Sequence, residues 1–257
     1  MTISARLGAA LAAAFVVVGS ASAFAADLSP RAYTKAPAPS PSYDWSGVYI
    51  GGQVGGASLS TQFKDFDDEF SNRGLSPDRK TRFTGGGYGG VNWQFGSFVV
   101  GVDAQWSHYN ATVESLPFGE DFPDFQMGVK LNNAGSVKAR FGLAFTNTLV
   151  YVAAGPAWAN ATFSVHDGAN GDGSPFIVSS RRTVNGLAAA AGVEHMITPN
   201  WIVRGQFQYD EYETQELKFD LSPRESGTPS VRFGQQSSVL EATFGVSYKI
   251  GPTSAGY

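Results

Sequence analysis

Residues 192–210, GVEHMITPNWIVRGQFQYD, decide the fold. Before the turn, Gly192 and Glu194 stand on one face and Val193, His195 and Ile197 on the other. After it, Arg204, Gln206, Gln208 and Asp210 oppose Trp201, Val203, Gly205, Phe207 and Tyr209. Both arms alternate with the period of two that belongs to a β-strand. Between them Thr198-Pro199-Asn200 supplies a proline that presets φ for a turn and an asparagine that tolerates unusual backbone angles. A three-residue loop sets Ile197 opposite Trp201, and counting outward sets Glu194 opposite Arg204 on one face. Charge on that face and aromatics on the other predict a polar interior and an apolar exterior, the reverse of a soluble sandwich.

Working outward, the same alternation predicts strands at 45–60, 82–95, 98–110, 133–145, 149–165, 182–197, 201–213 and 237–250. In the first, Val48, Ile50 and Val54 oppose Tyr49 and Gln53. In the third, Phe98, Val100, Val102, Ala104 and Trp106 oppose Asp103, Gln105 and Tyr109. In the fourth, Val137, Ala139, Phe141, Leu143 and Phe145 oppose Ser136, Lys138 and Arg140, and in the last Leu240, Ala242, Phe244, Val246, Tyr248 and Ile250 oppose Glu241, Thr243, Ser247 and Lys249. The fifth leaves its facing open, because Val150, Val152 and Trp158 compete with Leu149, Tyr151 and Phe163 for the outward side. Gly96-Ser97 is the Gly-first loop of a type II′ hairpin, and pairing Phe95 with Phe98 keeps both apolar faces together. Thr146-Asn147-Thr148 and Thr198-Pro199-Asn200 are also tight, whereas 61–81, 111–132, 166–181 and 214–236 are long and polar. Tight turns at one rim and long loops at the other predict an all-β fold: an eight-stranded antiparallel transmembrane β-barrel with short periplasmic turns and long external loops. A secreted, soluble ligand-binding β-barrel shares the strand count but would not expose Phe83, Val91, Trp93, Phe98, Val100 and Val102 as one band.

Composition agrees. Thirty-one glycines, 13% aromatic and only 16% charged residues in 257 suit strands and turns, and no composition break after residue 45 divides the rest. The net charge of −4 offers no electrostatic case for nucleic acid. The absence of cysteine removes disulfides, thiolate metal sites and cysteine nucleophiles. Arg6, the apolar run Leu7 to Val18 and the small residues that follow have the order of a secretory signal, read as residues 1–25 with cleavage after Ala25. The run is shorter than the ~18 apolar residues a spanning helix needs. Residues 26–44, with Pro30, Pro37, Pro39 and Pro41, read as a periplasmic leader, and 45–257 as the barrel.

Trp45-Ser46-Gly47-Val48-Tyr49-Ile50-Gly51-Gly52 after a Pro-rich leader, Gly192-Val193-Glu194 before Thr198-Pro199-Asn200-Trp201, and Tyr248-Lys249 closing the last strand resemble the small outer-membrane β-barrel family of proteobacteria, labelled porin-family or opacity-like surface antigens. The resemblance covers nearly the whole chain after the signal. It implies residence in the cell outer membrane, contact with outer-membrane lipids and lipopolysaccharide, insertion by the barrel-assembly machinery, and porin activity as the label suggests. One departure stands out: members finish on an aromatic directly after the Tyr-Lys pair, whereas Ile250 stands here and 251–257 follow. Either Tyr257 or the Tyr248 strand end then presents the family's C-terminal assembly signal.

Gly85-Gly86-Gly87-Tyr88-Gly89-Gly90 fits G-x-G-x-x-G, but a dinucleotide site needs that turn to open a helix, and here a strand runs on through Asn92. Glycines that relieve crowding in a barrel strand are the reading taken. Asp65-Phe66-Asp67-Asp68-Glu69 lacks the spacing of a calcium loop and reads as a solvated acidic loop. His108, His166 and His195 show no nucleophile-base pairing. No catalytic residue, metal or cofactor is therefore expected. The inward charges Asp103, Lys138, Arg140, Glu194, Arg204 and Glu241 are expected to form a lumen network, with Glu194 and Arg204 as one pair. The function expected is a structural or surface-interaction role with an external partner the sequence does not name. The alternative of another class is an outer-membrane lipid-modifying enzyme, which requires His108 to join a loop serine or acid.

Overall fold

The computed structural model describes residues 43–65, 80–114, 125–167, 176–219 and 231–250. The alternating segments form β1 (Gly47–Asp65), β2 (Lys80–Phe95), β3 (Phe98–Glu114), β4 (Phe125–Phe145), β5 (Thr148–Asp167), β6 (Phe176–Met196), β7 (Trp201–Tyr212), β8 (Gln215–Phe219) and β9 (Val231–Ile250). All neighbours are antiparallel, in the order β1-β2-β3-β4-β5-β6-β7-β9-β8, and β1 pairs with β9 from Val48↔Ile250 to Asp65↔Phe233. β8 follows β7 after a two-residue break and pairs with the same partner, β9, so the two make one stave and the barrel has eight. Closure leaves no edge with unpaired backbone groups, which a strand in hydrocarbon requires.

The register also fixes the tilt. Following paired residues round the wall from Val48 through Val91, Val102, Ala139, Ala154, Ala189, Tyr209 and Leu240 returns to β1 at Ser58, and 58 − 48 is a stagger of ten residues. With ~3.3 Å per residue and ~4.8 Å between strands, that stagger over eight staves tilts them by about 40°.

The tight turns lie where the alternation put them. Phe95 pairs with Phe98 and Gly96 has φ 63°, as a Gly-first hairpin needs. Phe145 pairs with Thr148, so that turn is two residues, one fewer than the sequence suggested, and Thr146 takes φ 53°. Ile197 N–H donates to Trp201 O at 2.9 Å, and Glu194 stands opposite Arg204 in the register counted from that turn.

The strands run further from the turns than their pattern foretold: β4 begins at Phe125 and β9 at Val231, so much of what read as long polar loop is ladder. On β4 the misreading follows from register shifts, of which there are two among the described residues, whereas β9 pairs with β1 without a break. One lies between His108 and Ala111 on β3, the other between Leu131 and Asn133 on β4. An extra residue in a strand exchanges its faces. Below the shift Ser136, Lys138 and Arg140 point inward; above it Val129 and Leu131 do. The remaining connections, including Asp67, Asp68 and Glu69, lie outside the described residues, as do the signal segment, most of the leader and Tyr257.

The facing of β5 is settled by what meets each side. Leu149, Tyr151, Ala153, Ala157, Ala159, Ala161 and Phe163 are buried inside, while Trp158 is exposed outside, where it covers Gly135. Both faces of this stave are apolar because lipid meets one and apolar packing meets much of the other.

Candidate functional site

Inward residues at mid-barrel bring the charged groups together. Asp103 on β3 accepts hydrogen bonds at Oδ2 from Tyr49 Oη at 2.8 Å and Arg204 Nη1 at 2.9 Å, and Lys138 Nζ stands 3.4 Å from its Oδ1. Arg140 Nη2 lies 3.0 Å from Glu194 Oε2, and its Nη1 donates to Tyr49 Oη at 2.9 Å. The expected pairing is thus corrected. Glu194 and Arg204 are register neighbours, but the ion pairs are Glu194 with Arg140 and Arg204 with Asp103. Both reach across the lumen to non-adjacent staves, because each side chain stands perpendicular to the sheet rather than along it.

Glu241 is placed differently. It takes part in no ion pair among the described residues and instead accepts from Tyr109 Oη at 2.8 Å, Ser107 Oγ at 3.1 Å and Gln105 Nε2 at 3.4 Å. All six charged residues are at most 3% exposed. Buried charges require such partners, since an unpaired ion in a low-dielectric interior is expensive.

Neutral side chains complete the network, and a list of charges alone missed them. Gln105 Oε1 accepts from Lys138 Nζ at 3.1 Å, Arg204 Nη2 at 3.3 Å and Gln206 Nε2 at 2.8 Å. Lys138 also donates to Gln208, and Arg204 Nη2 to Gln53 Oε1 at 3.0 Å. Three tyrosines add cation-π faces: the Arg204 guanidinium lies 3.6 Å from the centroid of Tyr88, and that of Arg140 lies 4.0 Å from Tyr151 and 5.5 Å from Tyr49. Their rings fit because the facing wall is glycine. A Cβ on Gly90 would come within 2.5 Å of Tyr49 Oη, and one on Gly192 within 2.6 Å of Tyr151 Oη. The signal that finds these residues is their inward parity, shared with the charges.

Apolar clusters close the network above and below. At the turn end Trp45, Val99, Leu149, Met196 and Ile202 pack together, and Trp45, 1% exposed, is held by its backbone N–H, which donates to Gln94 Oε1 at 2.7 Å. Lys249 donates to the Asp44 carbonyl beside it. Toward the opposite rim Leu59, Tyr109, Leu131, Phe163, Val184 and Tyr212 belong to a second cluster. The polar interior expected from the sequence is therefore narrowed to a polar layer between two apolar ones. Outside, Val48, Ile50, Trp93, Phe98, Trp106, Phe141, Trp201, Phe207 and Phe244 are exposed as the expected band.

His108 points outward, with Nδ1 2.7 Å from Asn133 Oδ1, and His195 contacts Asn147 and Thr148 at the turn rim. The side chain of His166 lies outside the described residues. No group of acidic or imidazole side chains suited to a metal occurs among the described residues.

The sequence profile of the outer membrane protein beta-barrel domain matches residues 11–249. The 31 kDa outer-membrane immunogenic protein of Brucella melitensis biotype 1 is 30% identical over 207 residues, covering 76% of this chain and 83% of that protein. The 22 kDa outer membrane protein of Rhizobium leguminosarum bv. viciae is 27% identical over 181 residues, covering 70% of each. Among solved structures, Neisserial surface protein A is 16% identical with a TM-score of 0.37, over 80% of this chain and 98% of its own. With a closed eight-stave barrel, an apolar outer band and a profile match along most of its length, the chain belongs to the outer membrane protein β-barrel family and resides in the outer membrane, among its lipids and lipopolysaccharide.

Proposed function

We propose that the protein is a closed, non-enzymatic scaffold whose function lies in what its external loops present, and that its lumen charge network is structural rather than a route for solutes. The observation that carries this reading is the filled lumen, with the layer of Asp103, Lys138, Arg140, Glu194, Arg204 and Glu241 lying between apolar clusters. An eight-stranded barrel is just wide enough for its inward side chains to fill it. The name of the Brucella relative, an outer-membrane immunogenic protein, supports presentation at the cell surface. Against the lipid-modifying alternative, His108 faces away from the lumen and contacts an amide rather than a carboxylate. Signal cleavage after Ala25, insertion by the barrel-assembly machinery, periplasmic tight turns and external long connections belong to the same reading.

Planar-bilayer recording tests it. Purified protein is expected to give no steady single-channel conductance, and porin-sized steps from the monomer would restore the pore reading.

A further inference from the structure

We propose that Lys130, Thr162 and Arg181 form a seat on the outer wall for a phosphate of lipopolysaccharide. The proposal rests on the orientation given under Proposed function, with the long connections external. The register carries it: Lys130 pairs with Thr162 and Thr162 with Arg181, so the three stand side by side on β4, β5 and β6. Lys130 reaches the outer face only because of the register shift between Leu131 and Asn133, which turns Leu131 inward. Both cations are exposed, and neither has an ion-pair partner among the described residues. Thr162 Oγ1 accepts from Asn132 Nδ2 at 3.3 Å, which leaves its own O–H to donate. Paired strands put neighbouring Cα atoms ~5 Å apart, so the two cations flank Thr162 across about 10 Å, a span that two long side chains close around one phosphate.

Height selects the occupant. From Phe98 to His108 on β3, ten residues on a stave tilted about 40° rise about 25 Å, the height of the apolar band of such barrels. Next above that band comes a polar row, with His108 against Asn133 and the Thr183 hydroxyl donating to Asn160 Oδ1 at 3.1 Å. The seat is one outward position further: Thr162 lies four residues beyond the exposed Trp158, about 10 Å of axial rise. Lysine and arginine stems at that height bend back to the headgroup layer. On β7 Glu211 is buried and accepts from Gln236 at 2.9 Å, whereas the exposed Lys130 and Arg181 stand on the β4 to β6 side. The anion that this side meets in an outer leaflet is a lipid phosphate.

Binding of diphosphoryl lipid A to the full barrel in neutral-lipid nanodiscs, read by native mass spectrometry, tests the seat. The Lys130→Ala/Arg181→Ala double variant should bind about tenfold more weakly than wild type, the scale of losing charge-assisted bonds. Lipid A stripped of phosphate and inorganic phosphate alone should both compete poorly. Equal affinity in the variant, or equal competition by stripped lipid, would overturn the proposal. If the double variant fails to fold, Arg181→Gln is measured against the same probe, with weaker binding expected and unchanged binding overturning the seat. An epitope tag within 66–79, read on intact cells, tests orientation separately. Signal only after permeabilisation would overturn seat and orientation together, whereas surface signal with unchanged lipid binding would overturn the seat alone.

Discussion

At the level of Asp103 the wall is apolar outside and charged inside; at the level of Leu131 it is polar outside, with Lys130 and Thr162, and apolar inside. The wall thus has two sections of opposite polarity, most plainly on β4, and the register shifts on β3 and β4 lie near the exchange. The reason is the solvent that each section meets. Within the bilayer the outward positions must be apolar, so the inward ones carry the polar half of the alternation and are held by directional bonds. Beyond it the outer face meets water, and burying apolar residues inside becomes favourable, as in a soluble barrel. The central layer therefore depends on who bonds to whom, and the upper layer on volume.

That contrast is open to measurement. The largest effect is expected from Arg204→Ala, which leaves Asp103 without its 2.9 Å partner and uncovers the Tyr88 ring. Breaking a buried pair typically costs about 3 to 5 kcal/mol. Urea unfolding in detergent should show a correspondingly lower midpoint, and an unaltered midpoint would remove the structural role given to the network.

Leu131→Ala should cost somewhat less, about 2 to 3 kcal/mol for lost transfer energy and a cavity. The sharper comparison uses conservative changes. Leu131→Met should cost under about 1.5 kcal/mol because volume is kept, whereas Arg204→Lys should remain as unstable as most of the alanine loss, since an ammonium cannot reproduce the planar fork that binds Asp103, Gln53 and Gln105 at once. Equal tolerance of both swaps in the same unfolding assay would mean that the two layers obey one rule.

A smaller loss is expected from Gly90→Ala. The new methyl meets the Val102 backbone oxygen and, at 2.5 Å, Tyr49 Oη, so it must shift the paired strand and displace the hydroxyl that joins Asp103 to Arg140, an overpacking cost of about 1 to 3 kcal/mol. Chemical shifts of the Tyr49 ring should move along with stability. The smallest change should be a gain: Thr146 holds a β-branched side chain at φ 53°, and Thr146→Gly relieves that strain by about 1 kcal/mol. A destabilised glycine variant would show that the Thr146 side chain contributes more at the tight-turn rim than its backbone costs.

The sequence by itself determined which residues face lipid, where the tight turns fall and that Glu194 stands opposite Arg204, because period-two alternation and turn chemistry are local to one or two strands. It also placed Asp103, Lys138, Arg140, Glu194, Arg204 and Glu241 on the inward face, with Asp210 and Lys249 on it as well. It could not follow β4 past Asn133 or orient β5, since a one-residue bulge inverts the parity on which the count relies and β5 is apolar on both sides. Nor could it assign Glu194 to Arg140 or Arg204 to Asp103. Those contacts span the lumen between staves that never pair, so they depend on barrel circumference and on the ten-residue stagger returning from Val48 to Ser58. Both are properties of the closed sheet, and only the tertiary structure decides them, because closure couples the register of every strand to that of all the others.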